Sequence, residues 1–319
     1  MNPQSATINS CMNNQTSQPE VILLGLSDFT YSRIPLVLFF LLIYFFTLAG
    51  NILIIALVVT DSHLQTPMYF FLGNLSVLDI ATPSLPASHL PVNIFPGKKL
   101  ILYSTCVAQV FFFCWFICTE VFILAIMSYD RYAAICHPLR YTTMISIHLC
   151  IQLAISAWIF GNLYSLLNVF YSLKLAFFGP ISIQGLFCEL YQLIQLSCSD
   201  THLNNLLLSM SGIFGAIVII LTLLSYVFIF KSIVRIKTED GRLKAFSTCS
   251  SHLLVVIIFY GTGLFNYLRP SDKEVTAGRM ISIVYTLFTS FLNPIIYSLR
   301  NKELQGSLHR TLVRVSLRT

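Results

Sequence analysis

The residues best able to do chemistry are an acid and a base side by side, Asp130 and Arg131, closing a long apolar run that begins near Cys106. A carboxylate beside a guanidinium that keeps its proton forms a pair in which the Arg can exchange one partner for another. That is the chemistry of a switch. Two further carboxylates, Asp79 and Glu120, stand well inside apolar runs, where an acid is costly and by default functional. Glu120 precedes Arg131 by eleven residues, about 16 Å along a helix, which puts it near the middle of a bilayer. If the two acids approach each other, one holds a proton or a cation sits between them. Enzyme chemistry is not expected: the chain has no glycine-rich phosphate loop, no His-Glu-x-x-His and no Ser/His/Asp grouping. His63, His137, His148 and His309 fall on one set of connectors and the loop cysteines on the other, so no shared metal site is expected.

The elements that must position these groups are membrane helices. Of 319 residues, 56% are hydrophobic and 10% charged, whereas soluble domains are commonly about a quarter charged. Seven apolar stretches can be counted, at 34–59, 68–85, 105–127, 149–167, 203–230, 246–268 and 280–299, most of them near the length that crosses hydrocarbon. The expected architecture is all-α: an extracellular tail over 1–33, a seven-transmembrane bundle over 34–299 and a cytoplasmic amphipathic helix over 300–319. In that last segment Leu304, Leu308, Leu312 and Val315 recur at helical spacing, with Lys302, Arg310, Arg314 and Arg318 on another face.

The 19 Lys and Arg divide unevenly. Twelve (131, 140, 231, 235, 237, 242, 244, 300, 302, 310, 314, 318) lie on one side of the spans and seven (33, 98, 99, 174, 269, 273, 279) on the other. The positive-inside rule puts the richer side in the cytoplasm and the N-terminus outside. The net charge of +6 then reads as topology and attraction to anionic lipid, with no nucleic-acid partner. No basic and apolar leader precedes the first span, which is expected to insert itself. Asn14-Gln15-Thr16 fits a glycosylation sequon on the outer side. Pro83, Pro86, Pro91 and Pro96 predict a kinked or shortened outer end of the second helix.

Five strings, in order along the chain, carry a resemblance. They are Pro67-Met-Tyr-Phe-Phe-Leu72, Met127-Ser-Tyr-Asp-Arg-Tyr-Ala-Ala-Ile-Cys136, Lys244-Ala-Phe-Ser-Thr-Cys-Ser-Ser-His252, Phe259-Tyr-Gly-Thr-Gly263 and Leu292-Asn-Pro-Ile-Ile-Tyr297. With them the chain resembles the olfactory receptors among the rhodopsin-like G-protein-coupled receptors. The resemblance implies a plasma-membrane protein that binds a small hydrophobic volatile ligand inside its bundle and activates a heterotrimeric G protein of the stimulatory type, with cAMP as messenger. A receptor of the same class for another small ligand is the alternative, although Phe113 stands where amine receptors place an Asp. A transporter would show internal repeats and broken helices in both halves, and the sequence has neither.

Site residues follow. Spacing down from Cys106 sets Phe113, Cys114, Ile117 and Cys118 on one stripe of the third helix. Opposite them the resemblance places Met210, Ser211 and Phe214 of the fifth helix, Tyr260, Gly263, Leu264 and Tyr267 of the sixth, and Ile283 and Thr286 of the seventh. Asp130, Arg131, Tyr132, Tyr226 and Tyr297 are expected to carry the switch, and Asp79 with Glu120 a sodium ion, the only cofactor expected. The resemblance pairs Cys106 with Cys188. A second loop bridge usual in the family would need a cysteine where Phe178 stands, so Cys198 is expected to be a free thiol or to lack a partner within the loop, with Cys11 as an outer-side substitute.

Overall fold

Runs of Leu, Ile, Phe and Val fold as helices in apolar surroundings because a helix satisfies each backbone group within its own segment. A computed structural model describes residues 20–24, 33–90, 99–183, 185, 187–268 and 275–316. Its long helices are α1 (Arg33–Thr60), α2 (Pro67–Ala87), α3 (Tyr103–Cys136), α4 (Ile147–Ser172), α5 (His202–Val234), α6 (Glu239–Leu268) and α7 (Val275–Arg300), followed by α8 (Lys302–Ser316). Five segments among the described residues are long and apolar enough to cross a membrane: Ile34–Thr60, Tyr103–Cys136, Ile147–Ser172, His202–Val234 and Glu239–Leu264.

Helix α3 is the axis, packing against α2, α4, α5 and α6, while α7 closes the other side against α1, α2 and α6. Small residues allow the close approaches. A Cβ on Gly161 of α4 would meet the Trp115 carbonyl of α3 at 2.9 Å, and one on Gly50 of α1 would meet the Pro294 ring of α7 at 3.0 Å. Indole groups tie the same layer: Trp115 Nε1 donates to Trp158 O at 3.0 Å and Trp158 Nε1 to Asn74 Oδ1 at 3.1 Å, linking α3, α4 and α2. The outer faces carry exposed Leu38, Phe45, Ile155, Phe160, Ile213 and Leu221, an apolar perimeter suited to lipid.

Two expectations change. Pro67 opens α2 at its first turn, where no donor is lost, and the helix continues through Pro83 and Pro86 to Ala87. It is therefore not shortened before that point. The fold is also not purely helical. Strand β1 (Val21–Leu23) lies between β2 (Lys99–Ile101), antiparallel, and β3 (Ile181–Ile183), parallel. Val21, Leu23 and Ile183 are buried in one cluster with Cys106, Val110 and Phe177, so this small sheet roofs the outer end of α3. Three-residue strands give too few alternations for a period-2 pattern to show in sequence.

Candidate functional site

Near the C-terminal end of α3, Arg131 Nε donates to Asp130 Oδ2 at 2.9 Å and Nη2 reaches the same oxygen. The Tyr141 hydroxyl donates to Asp130 Oδ1 at 2.7 Å. Both oxygens of this buried carboxylate are thus engaged. Burial, then the adjacent Asp130 carboxylate, push the Tyr141 phenol above its ordinary value, so it remains a donor. Arg131 borders a cavity lined with Met68, Met127, Ser251, His252, Tyr297 and Asn301. Tyr226 of α5 meets His252 Nδ1 through its hydroxyl, and the buried Tyr297 hydroxyl has no hydrogen-bond partner among the described residues. The structure therefore puts Arg131 and Tyr297 on one cavity, with Tyr226 joined to it through His252. Tyr132 stands apart, its hydroxyl 3.3 Å from His137 Nε2 and its ring against Phe228. His252 was not singled out from sequence, though a histidine within an apolar run was the available signal.

Halfway up, Asn293 Nδ2 donates to Asp79 Oδ1 and Oδ2 at 3.0 and 2.9 Å. Glu120, equally buried, lies within electrostatic range of Asp79. Asn51 Nδ2 donates to Thr47 O and Ser290 O, leaving its buried Oδ1 without a partner among the described residues. Carboxylate and amide oxygens are the donors that a hard cation takes.

In the outer half, Phe113 packs on Phe187 with ring centroids 5.0 Å apart. Cys114, Ile117 and Cys118 lie half-buried on the same face. Tyr260 is buried, its hydroxyl donating to Val121 O at 3.3 Å, and Thr286 is buried on α7. Three expected pocket residues point elsewhere: Met210, Phe214 and Leu264 are 59%, 50% and 52% exposed on the outer faces of α5 and α6. Phe214 packs on Phe122 instead. The inward stripe of α5 is Asn204, Leu208, Ser211, Gly215, Val218 and Thr222, because a helix in lipid hides its small and polar residues against its neighbours. That spacing of Asn, Ser, Gly and Thr was the missed signal. Gly263 is half-buried on α6. The side chains of Tyr267 and Ile283, and the whole of Cys11 and Asn14, lie outside the described residues.

At the outer end of α3 Cys106 and Cys188 are joined, with Cα atoms 5.3 Å apart. The buried Gln109 accepts from Cys188 N at 3.0 Å through Oε1, and its Nε2 meets His89 Nε2. Cys198 is disulfide-bonded and not a free thiol. Cys188 is already taken, so its partner lies outside the loop.

With the geometry in place, comparison with known proteins becomes informative: the family model described as olfactory receptor matches residues 40–315. This chain belongs to the olfactory receptor family. Olfactory receptor 5B12 of Homo sapiens is 43% identical over 306 residues, covering 94% of this chain and 96% of the relative. Olfactory receptor 2A25 of Homo sapiens is 44% identical over 307 residues, covering 94% and 97%. Olfactory receptor 5B21 of Mus musculus is 42% identical over 305 residues, covering 95% and 96%. The chain is a multi-pass membrane receptor and not an enzyme.

Proposed function

We propose that this receptor is a seven-helix odorant receptor of the plasma membrane, N-terminus outside. It takes a small, uncharged, hydrophobic ligand between the outer halves of α3, α5, α6 and α7 and activates a heterotrimeric G protein of the stimulatory type. The observation that carries the reading is the buried Asp130–Arg131 pair beside the cavity that Tyr297 and His252 line. A guanidinium held by its neighbour at a cavity mouth can turn to new partners when the helices part, which is a two-state element. On the ligand side, rings, thiols and a few hydroxyls leave dispersion and desolvation to supply most of the affinity. Asp79 and Glu120 would hold a sodium ion between them, which offsets one negative charge and eases their mutual repulsion. Asn14 would carry a glycan, and α8 would lie along the inner leaflet with its basic face toward anionic lipid. The test is a panel of volatile compounds applied to cells expressing the receptor with a cAMP reporter. Uncharged apolar compounds are expected to raise cAMP; responses restricted to amines or peptides would overturn the reading.

A further inference from the structure

Helix α8 is clamped at two points, one to the first turn of α2 and one to the connector between α1 and α2. At its start Asn301 Oδ1 accepts from the N–H groups of Glu303 and Leu304, at 3.0 and 3.3 Å, and caps the helix. The Tyr69 hydroxyl of α2 lies 3.0 Å from both Asn301 Oδ1 and Glu303 Oε2, one of which takes its proton. Further along, Arg310 Nη2 donates to Asp61 Oδ2 at 2.6 Å. The Asp61 side chain is 7% exposed, and that of Arg310 42%. A carboxylate so enclosed needs a partner, and removal of that partner leaves a costly charge. Its other oxygen accepts from His63 N at 3.0 Å and caps the turn Ser62–Leu64. Gly306 leaves the guanidinium room, since a Cβ there would stand 3.3 Å from Arg310 Nη1. Beneath, Leu304 and Leu308 press on the main core. Residues 301–319 hold no cysteine, so none of them can carry a palmitoyl anchor.

We propose that Asp61 and Arg310 are positioning residues whose ion pair fixes α8 across the first cytoplasmic connector and thereby sets how the receptor meets its G protein. The proposal rests on the reading as a G-protein-coupled receptor. Neither residue borders the Arg131 cavity, so both act through the placement of α8.

Two substitutions separate the ion pair from the turn cap. Asp61→Asn keeps an oxygen for His63 N and removes the charge; Arg310→Glu sets two carboxylates face to face. At matched surface levels, Asp61→Asn should lower agonist potency in a cAMP assay by about two- to fivefold, and Arg310→Glu by more. Combining them should recover potency to that of Asp61→Asn alone, because the repulsion is gone. Independently of signalling, a short bifunctional maleimide should link the Asp61→Cys/Arg310→Cys double variant in membranes, and adding Tyr69→Phe should weaken that link. Wild-type potency for Arg310→Glu, additive losses in the combined variant, or absence of the cross-link would each overturn the proposal. If no compound raises cAMP in any variant, the functional reading fails while the cross-link still decides the placement of α8.

Discussion

The two ends of the bundle hold their working residues by different physics. Around Arg131 and along α8 polar side chains are held by named partners: Asp130 has Arg131 and Tyr141, Tyr226 has His252 and Asp61 has Arg310, while the Tyr297 hydroxyl has none among the described residues. At the outer end the α3 stripe meets rings and thiols, with Phe113 on Phe187 and Cys114 and Cys118 beside it. A hydrogen bond is directional and is either made or lost, so rearrangement at the cytoplasmic end is a step between discrete states. Dispersion contacts are individually small and add up over many geometries, so the outer end can accept ligands of varied outline. Under the proposed function, geometric precision would serve the response and tolerance the stimulus.

The largest effect should come from breaking the directional end. Arg131→Ala removes the residue that exchanges partners, and signalling should fall by on the order of 100-fold or more while surface level stays measurable. A normal cAMP response would erase the contrast between the two ends. Next comes Gln109, which brings a directional bond to the loop over the outer end of α3. Gln109→Leu leaves the buried Cys188 N–H without its acceptor, a cost of about 1–3 kcal/mol, so potency and surface level should drop together, on the order of tenfold. Gln109→Glu retains an acceptor oxygen and should recover part of both in the same concentration–response series.

Smaller shifts are expected within the ligand stripe itself. Phe113→Leu and Tyr260→Phe should move potency by roughly three- to tenfold, with the direction differing between agonists, since packing and one 3.3 Å bond are altered. Met210→Ala and Phe214→Ala, on the outer face, should change it by less than about twofold; a shift as large as that of Phe113→Leu would return the α5 contact to the face first expected. The smallest effect concerns only connectivity. Peptide mapping without reduction should recover Cys198 in a disulfide-linked peptide. Of the nine cysteines only Cys11 lies outside the described residues, so the linked peptide is expected to carry Cys11; an alkylated Cys198 would refute this.

How much of this was legible in the sequence follows the same division. The pairing of Asp130 with Arg131 and the burial of Tyr297 beside it could be read because charged and polar groups stand out against an apolar background. Asp79 and Glu120 could be read for the same reason. The α5 contact could not be read from size and hydrophobicity, because Met210 and Phe214 suit lipid as well as they suit a pocket. What distinguished the inward face was the sequence of small and polar residues at 204, 211, 215 and 222. The roof sheet escaped because each strand is three residues long and its partners lie far apart in the chain. For Cys198 the lack of a partner within the loop could be read from Phe178, but not that the thiol is bonded, because a disulfide depends on where two segments meet.

The position of β1 between β2 and β3 has a consequence for the order of assembly. Val21–Leu23 leaves the ribosome before any of the helices, yet its neighbour β2 follows only after α1 and α2, and its neighbour β3 only after α4. The central strand of the roof is therefore made before the bundle and fully paired only late. Until β3 has followed α4, the edge of β1 that β3 covers stays open, which leaves a nascent chain exposed to wrong partners at the roof.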